Sequence, residues 1–218
     1  MNILDKYNHR ELQFVNQIES FLTISYARIE EISNFIESKK KPDDSIIIDE
    51  KTEVFEINDP ETEKIFNYLF EISEYNKTSF FYNSIFVNLY SFLEYTLINF
   101  SKYLNERDKK QYVFTVNPKQ YIYFDNCIEF LKINYKLNFG QNADYNQLLN
   151  YKTIREIIIH NQSVLPDSNE YNRIRCIKGL YINDYNHVYI KDNKILLDFV
   201  KRIRKFLIED IIDKTKNK

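Results

Sequence analysis

In the stretch TIREIIIHNQ, residues 153–162, an arginine and a histidine stand five positions apart in a run of isoleucines: Arg155 and His160. Both are residue types that do chemistry. An imidazole titrates near neutrality and can take or give a proton, while a guanidinium offers a rigid fork of donors to phosphate or carboxylate oxygens. Glu156 and Asn161 follow them directly, and Glu94 is a lone carboxylate in the most apolar segment of the chain. Purely structural roles are open to the same residues. Arg155 and Glu94 could satisfy each other as an internal ion pair, and His160 could cap the end of a helix, where the last carbonyls and the dipole favour positive charge.

Metal chemistry has no obvious seat. His9 and His187 have no ligand-like neighbours, and the acids of PDD and DPETE read as surface or capping residues, so neither a metal nor a cofactor is expected. Cys127 and Cys176 lack CxxC spacing, which suggests neither a disulfide framework nor a zinc site and makes the cytoplasm the expected compartment.

The elements that must position Arg155 and His160 are helices. Leu12, Val15, Ile18, Leu22, Tyr26, Ile29, Ile32 and Ile36 follow one another by steps of three and four, one stripe of a long amphipathic helix over residues 10–39. Pro42 stops it, and residues 45–58 read as two short extended pieces. Asp59 and Pro60 suit a helix start. That helix should reach about Leu104, with a break near Asn76 because such a length is unusual. A third helix is expected within residues 119–137. Asp144 and Gln147 resemble a capping box for the helix that carries Arg155. A short helix over Glu170–Lys178 would be stopped by Gly179. LYINDYNHVYIKDNK then alternates around Asp184–Asn186 as a β-hairpin, and residues 194–214 form a last amphipathic helix.

On a wheel, Leu148, Tyr151, Ile154, Ile158 and Ile159 cover one arc, with Arg155 in its middle and His160 roughly 140° around. The two would converge only where the helix ends or distorts, or where two copies of it meet.

With 218 residues, a net charge of −2 and a pI near 6.0, the chain has the size of a single domain and no cationic excess with which to coat nucleic acid or an anionic membrane. Its 18 Tyr and 17 Phe are spread along the chain, as an AT-rich coding sequence would give. The run 80–100 has the length of a membrane span, but Glu94 and three asparagines argue for the central helix of a bundle instead. MNILDKYNHREL shows no hydrophobic run of the kind that opens a signal peptide.

The helix with Arg155, Glu156, His160 and Asn161, taken with the aromatic, Glu94-bearing LYSFLEYTLINF, resembles the HEPN domains (higher eukaryotes and prokaryotes nucleotide-binding) of prokaryotic defence and abortive-infection systems. The resemblance covers residues 60–214 and leaves 1–58 outside it. Glu156 stands where that family often has Asn, Asp or His. The resemblance implies an all-α, HEPN-like helical bundle with a small β-hairpin before the last helix, and metal-independent cleavage of RNA by a toxin or antiviral defence effector. Such cleavage needs a base for the 2′-hydroxyl, an acid for the leaving 5′-oxygen and a cation for the phosphate. Arg155 and His160 would be catalytic, with Glu156, Asn161 and Glu94 supporting. It also implies a homodimer in which two motifs line one cleft, the apolar arc around Arg155 forming the seam, and an antitoxin or regulatory protein as a further partner. RNA contacts would fall to Arg173, Arg175, Lys178 and Arg202. The alternative within the same resemblance is an inactive binding or partner subunit.

Overall fold

The computed structural model describes residues 6–40, 60–109, 123–160, 163–165, 172, 174–183 and 186–216. The extended segment 45–58, the Pro42 stop, the Asp59 cap, Asn161 and Arg173 lie outside the described residues, and the short helix over Glu170–Lys178 lies only partly within them.

The three-and-four stripe becomes α1 (His9–Lys40), which buries Val15, Ile18, Leu22, Ile29 and Ile36. Tyr26 is the departure from the expected stripe, exposed at 42%. Asn8 and Glu11 cap the start reciprocally: the Glu11 N–H donates to Asn8 Oδ1 at 2.9 Å, and the Asn8 N–H donates to Glu11 Oε2 at 3.1 Å.

Helix α2 (Pro60–Asp108) starts at the expected proline but runs 49 residues through Asn76 without the expected break. No proline or glycine interrupts residues 61–108, and α1 lies antiparallel along its second half. Phe21 stacks on Phe92 at 3.7 Å, Phe14 meets Phe100 edge-on at 5.2 Å, and the Tyr82 hydroxyl donates to Ser33 Oγ at 3.2 Å. Tertiary packing of this kind sustains a helix longer than propensity alone would favour.

Helix α3 (Tyr123–Tyr135) packs on α2. Helix α4 (Ala143–His160) is capped by Asn142 rather than by the expected Asp144 and Gln147: Asn142 Oδ1 accepts the Tyr145 N–H at 2.9 Å. Asp144 is drawn away to two cations, Arg202 at 2.7 Å and Lys205 at 2.5 Å.

Strands β1 (Leu180–Ile182) and β2 (Val188–Ile190) form the expected antiparallel hairpin, Leu180 facing Ile190 and Ile182 facing Val188. All three β2 residues are buried, against α2 and α4. Gly179 makes the turn into β1 at φ +92°, where a Cβ would also press on Asp192 and Ile195 at about 3 Å. Helix α5 (Lys194–Arg204) continues through a wider, π-helical stretch (Lys205–Ile212) into a last α turn (Asp213–Thr215). The wide stretch carries Asp210 inward, where it accepts from Asn142 Nδ2 at 2.8 Å and so ties the last helix to the cap of α4.

The molecule is therefore a mostly helical bundle with one small hairpin before its last helix. Its core is aromatic: Phe86, Tyr90, Phe124, Tyr151, Phe199 and Phe206 are among its largest fully buried side chains. These rings fill the interior rather than offering stacking platforms. Among the described residues no helix is long and apolar enough to cross a membrane.

Candidate active site

Helix α4 buries Tyr145, Leu148, Tyr151, Ile154 and Ile157. These steps of three fall short of a 3.6-residue turn, so the buried line winds around the helix. By the last turn it has moved from Ile154 to Ile157, which leaves Ile159 40% exposed and Arg155 at the boundary. The arc expected to form a dimer seam is thus overturned in its main part: Leu148, Tyr151 and Ile154 are buried inside their own subunit.

Arg155 does not reach Glu94; among the described residues no ion pair joins them. Its Nη1 donates instead to Glu156 Oε1 at 2.5 Å, and the other oxygen of that carboxylate, Oε2, lies 3.3 Å from His160 Nε2. One carboxylate thus links the two groups that the helical wheel holds apart. The link follows from spacing, because Glu156 and His160 are i,i+4 neighbours and the long arginine reaches across from the preceding position. Exposure rises along the triad, from 23% for the Arg155 side chain through 42% for Glu156 to 60% for His160. The cation is rooted and the imidazole meets solvent.

Beneath Arg155 lies α2. The guanidinium carbon sits 5.9 Å from the centre of the buried Tyr90 ring, within the range of a cation–π contact. Arg155 Nε and the Tyr90 hydroxyl are both buried without a hydrogen-bond partner among the described residues, a condition that costs about 1–3 kcal/mol for such a group. Burial, and after it the nearby Glu94 carboxylate, pushes the Tyr90 hydroxyl well above its ordinary pKa. Burial likewise pushes the Glu94 carboxyl up; Arg155 opposes that shift and Glu156 adds to it. On the same side, Lys152 of α4 pairs with Asp125 of α3 at 2.7 Å.

The hairpin fixes the end of α4. The Ser163 N–H donates to the Ile157 carbonyl at 3.0 Å, Val188 N–H to the Ser163 carbonyl at 2.7 Å, and Leu165 N–H to the Asn186 carbonyl at 3.0 Å. His160, the last residue of α4, is therefore held just before a segment tied to the sheet.

Tyr90, Lys152 and Asp125 belong to this site and were not among the residues singled out in the sequence. The i,i+4 spacing of Tyr90 and Glu94 on one face of α2 was the signal available. Of the basic residues expected to meet RNA, the described ones, Arg175, Lys178 and Arg202, are not gathered here. Arg202 joins α5 to α4 through Asp198 at 2.6 Å and Asp144 at 2.7 Å; Arg175 and Lys178 are exposed, beyond the end of α4. His9 contacts Gln13 on α1 and His187 belongs to the hairpin, so among the described residues His160 is the histidine that shares a carboxylate with an arginine. Among the described residues, no three His, Cys, Asp or Glu side chains gather as a metal site requires. A fixed cation and an accessible imidazole, joined by a displaceable carboxylate, can bind an anion and move a proton beside it.

Comparison of the chain with protein-family models, curated proteins and solved structures found no match.

Proposed function

We propose that the protein is a metal-independent endoribonuclease of the HEPN type, a cytoplasmic toxin or antiviral defence effector acting as a homodimer, with an antitoxin or regulatory protein as a further partner. The observation that carries this is the convergence of Arg155 and His160 on one carboxylate at the exposed end of α4. In the proposed reaction a base takes the proton of the RNA 2′-hydroxyl and the 2′-oxygen attacks phosphorus. The bond to the 5′-oxygen breaks and an acid returns a proton to it, which leaves a 2′,3′-cyclic phosphate and a 5′-hydroxyl. Arg155 stabilises the crowded phosphate. His160 of each subunit supplies one of the two proton transfers. Ile159, exposed between Arg155 and His160, marks where two copies would meet.

Excess EDTA should leave cleavage intact, with cyclic phosphate ends on the products. His160→Ala should lower the rate by roughly 10²–10⁴-fold, the usual contribution of a general acid or base. Undiminished cleavage by a folded His160→Ala protein would overturn the assignment.

A second reading, a HEPN-like binding subunit without catalysis, is favoured by one observation: Glu156 engages both groups at once. That reading expects phosphate or nucleotide to bind near Arg155 with no RNA cleaved at all.

A further inference from the structure

Glu156 is held differently from the carboxylates that face the other part-buried arginines, Arg107 and Arg202. Among the described residues its two oxygens meet only Arg155 Nη1 and His160 Nε2. At the other end of α2, the partners of Arg107 are pinned by additional donors: Glu11 by the Asn8 N–H, and Asp108 by the Tyr135 hydroxyl. Asp144 lies between Arg202 and Lys205 and is far less exposed, at 14% against 42% for Glu156. Glu156, 42% exposed, can therefore rotate into solvent. Arg155, meanwhile, retains a buried Nε with no acceptor among the described residues.

We infer that the Glu156 carboxylate stands in for a phosphate, occupying in the free protein the place between Arg155 and His160 that a phosphate group takes when it binds. Two oxygens on one centre, each directed at a different donor, is how a phosphodiester would present its non-bridging oxygens to the same pair. For a phosphodiester the exchange is neutral, since one negative charge leaves as another arrives beside Lys152 and Arg155. Phosphate also accepts bonds over a wider range of directions than a carboxylate, which suits a guanidinium whose donors are only partly used. Glu156 is thus the group that sets how readily the site admits its anion. The inference takes the site from the nuclease reading and adds its regulation.

The test is a titration of inorganic phosphate into the full chain, followed by the His160 ring resonances, for wild type, Glu156→Gln and Glu156→Ala. Both variants should bind phosphate about tenfold more tightly, the change expected when a charge-assisted contact stops competing. Asp125→Asn removes a charge from the same face without uncovering Arg155 and should change the affinity far less. Adding Arg155→Ala to Glu156→Gln should abolish the gain. An equal gain in Asp125→Asn, or a gain that survives the loss of Arg155, would overturn the inference. On an RNA substrate the Glu156 variants should lower KM; a fall in kcat with unchanged phosphate affinity would make Glu156 a positioning residue for His160 and defeat the proposal. Unchanged phosphate affinity alongside wild-type RNA cleavage removes this inference and leaves the nuclease. Tighter phosphate binding with no RNA cleaved by any form removes the nuclease and leaves this inference.

Discussion

Arg107 and Arg155 lie on opposite ends of the same packed layer, separated by about 25 Å along α2 if Tyr90 marks the position of the second. Their side chains are almost equally exposed, at 21% and 23%, so burial does not distinguish them. Bonding does. All three nitrogens of Arg107 donate: Nη1 to Glu11 at 2.8 Å, Nε and Nη2 to Asp108 at 2.6 and 2.7 Å, and Nη2 also to the Thr215 carbonyl at 2.9 Å. These contacts join the start of α1, the end of α2 and the last turn of the chain. Among the described residues Arg155 has one carboxylate, on its own helix, and an unpartnered Nε. A cation bonded on every side to distant parts of the chain holds a fold together, whereas one held by a single mobile neighbour can exchange that neighbour for a ligand.

The largest effects should separate these two arginines. Arg107→Ala leaves Glu11, only 2% exposed, beside an emptied site, and should cost about 3 kcal/mol. For a chain of this length that corresponds to a fall in melting temperature of roughly 6–12 °C. Arg155→Ala removes a half-exposed pair and an unsatisfied donor together, and should change stability by about 1 kcal/mol or less, while abolishing RNA cleavage. Melts and cleavage assays on both variants check the contrast. Equal losses of stability would make Arg155 a second structural clamp.

Two tyrosines extend the comparison at smaller scale. The hydroxyl of Tyr135, itself fully buried, donates to Asp108 at 2.5 Å; that of Tyr90 has no partner among the described residues. Tyr135→Phe should cost about 1.5 kcal/mol, since it removes a bond to a charged acceptor. Tyr90→Phe keeps the ring under Arg155 and sheds an unsatisfied hydroxyl, so it should stabilise the protein by about 1 kcal/mol. Urea denaturation of the pair reads both. Destabilisation by Tyr90→Phe would mean that this hydroxyl does make a bond.

The same contrast explains what was legible in the sequence. Periodicity located the helices that bury one face, because the stripe of α1 and the alternation of β1 and β2 are local consequences of chain geometry. It failed where distant residues decide. Asp144 and Gln147 had the spacing of a cap, but Asn142 took that role because Arg202 and Lys205, some sixty positions on, hold Asp144. The break expected at Asn76 rested on length, and the helix runs past that position with no proline or glycine to stop it. At the site, Arg155 and His160 were visible from their types. Their link was equally local, since Glu156 precedes His160 by four positions. It went unnoticed because a wheel describes where side chains start and not how far an arginine or glutamate reaches. Tyr90 was marked only by its i,i+4 spacing from Glu94, because which face of α2 meets α4 is not local information.

The smallest predicted effect is a difference in sign between two carboxylates. Asp213, in the last α turn, would be raised by burial, but bonds from Lys6 at 2.7 Å and the Tyr7 hydroxyl at 2.8 Å outweigh this and hold it below its ordinary 3.8. A depressed acid contributes stability that is full above its unfolded pKa and is lost as pH falls through the folded value. Asp213→Asn should therefore destabilise the protein at neutral pH, with the loss closing below about pH 3.8. Glu94 is raised above its ordinary 4.5, first by burial. Its ionisation opposes folding at neutral pH and ceases to do so once both states are protonated below that value. Glu94→Gln should accordingly stabilise the protein at neutral pH, and the gain should shrink as pH falls towards 4.5. Urea midpoints for the two variants and wild type between pH 3 and 8 give the two difference curves. Curves of opposite sign are expected only if α2 ends in a satisfied polar network and passes, four turns earlier, through an unsatisfied one. If Glu94→Gln destabilised the protein instead, Glu94 would have a bonding partner in the folded state, and Arg155 would lie in a completed network like that of Arg107.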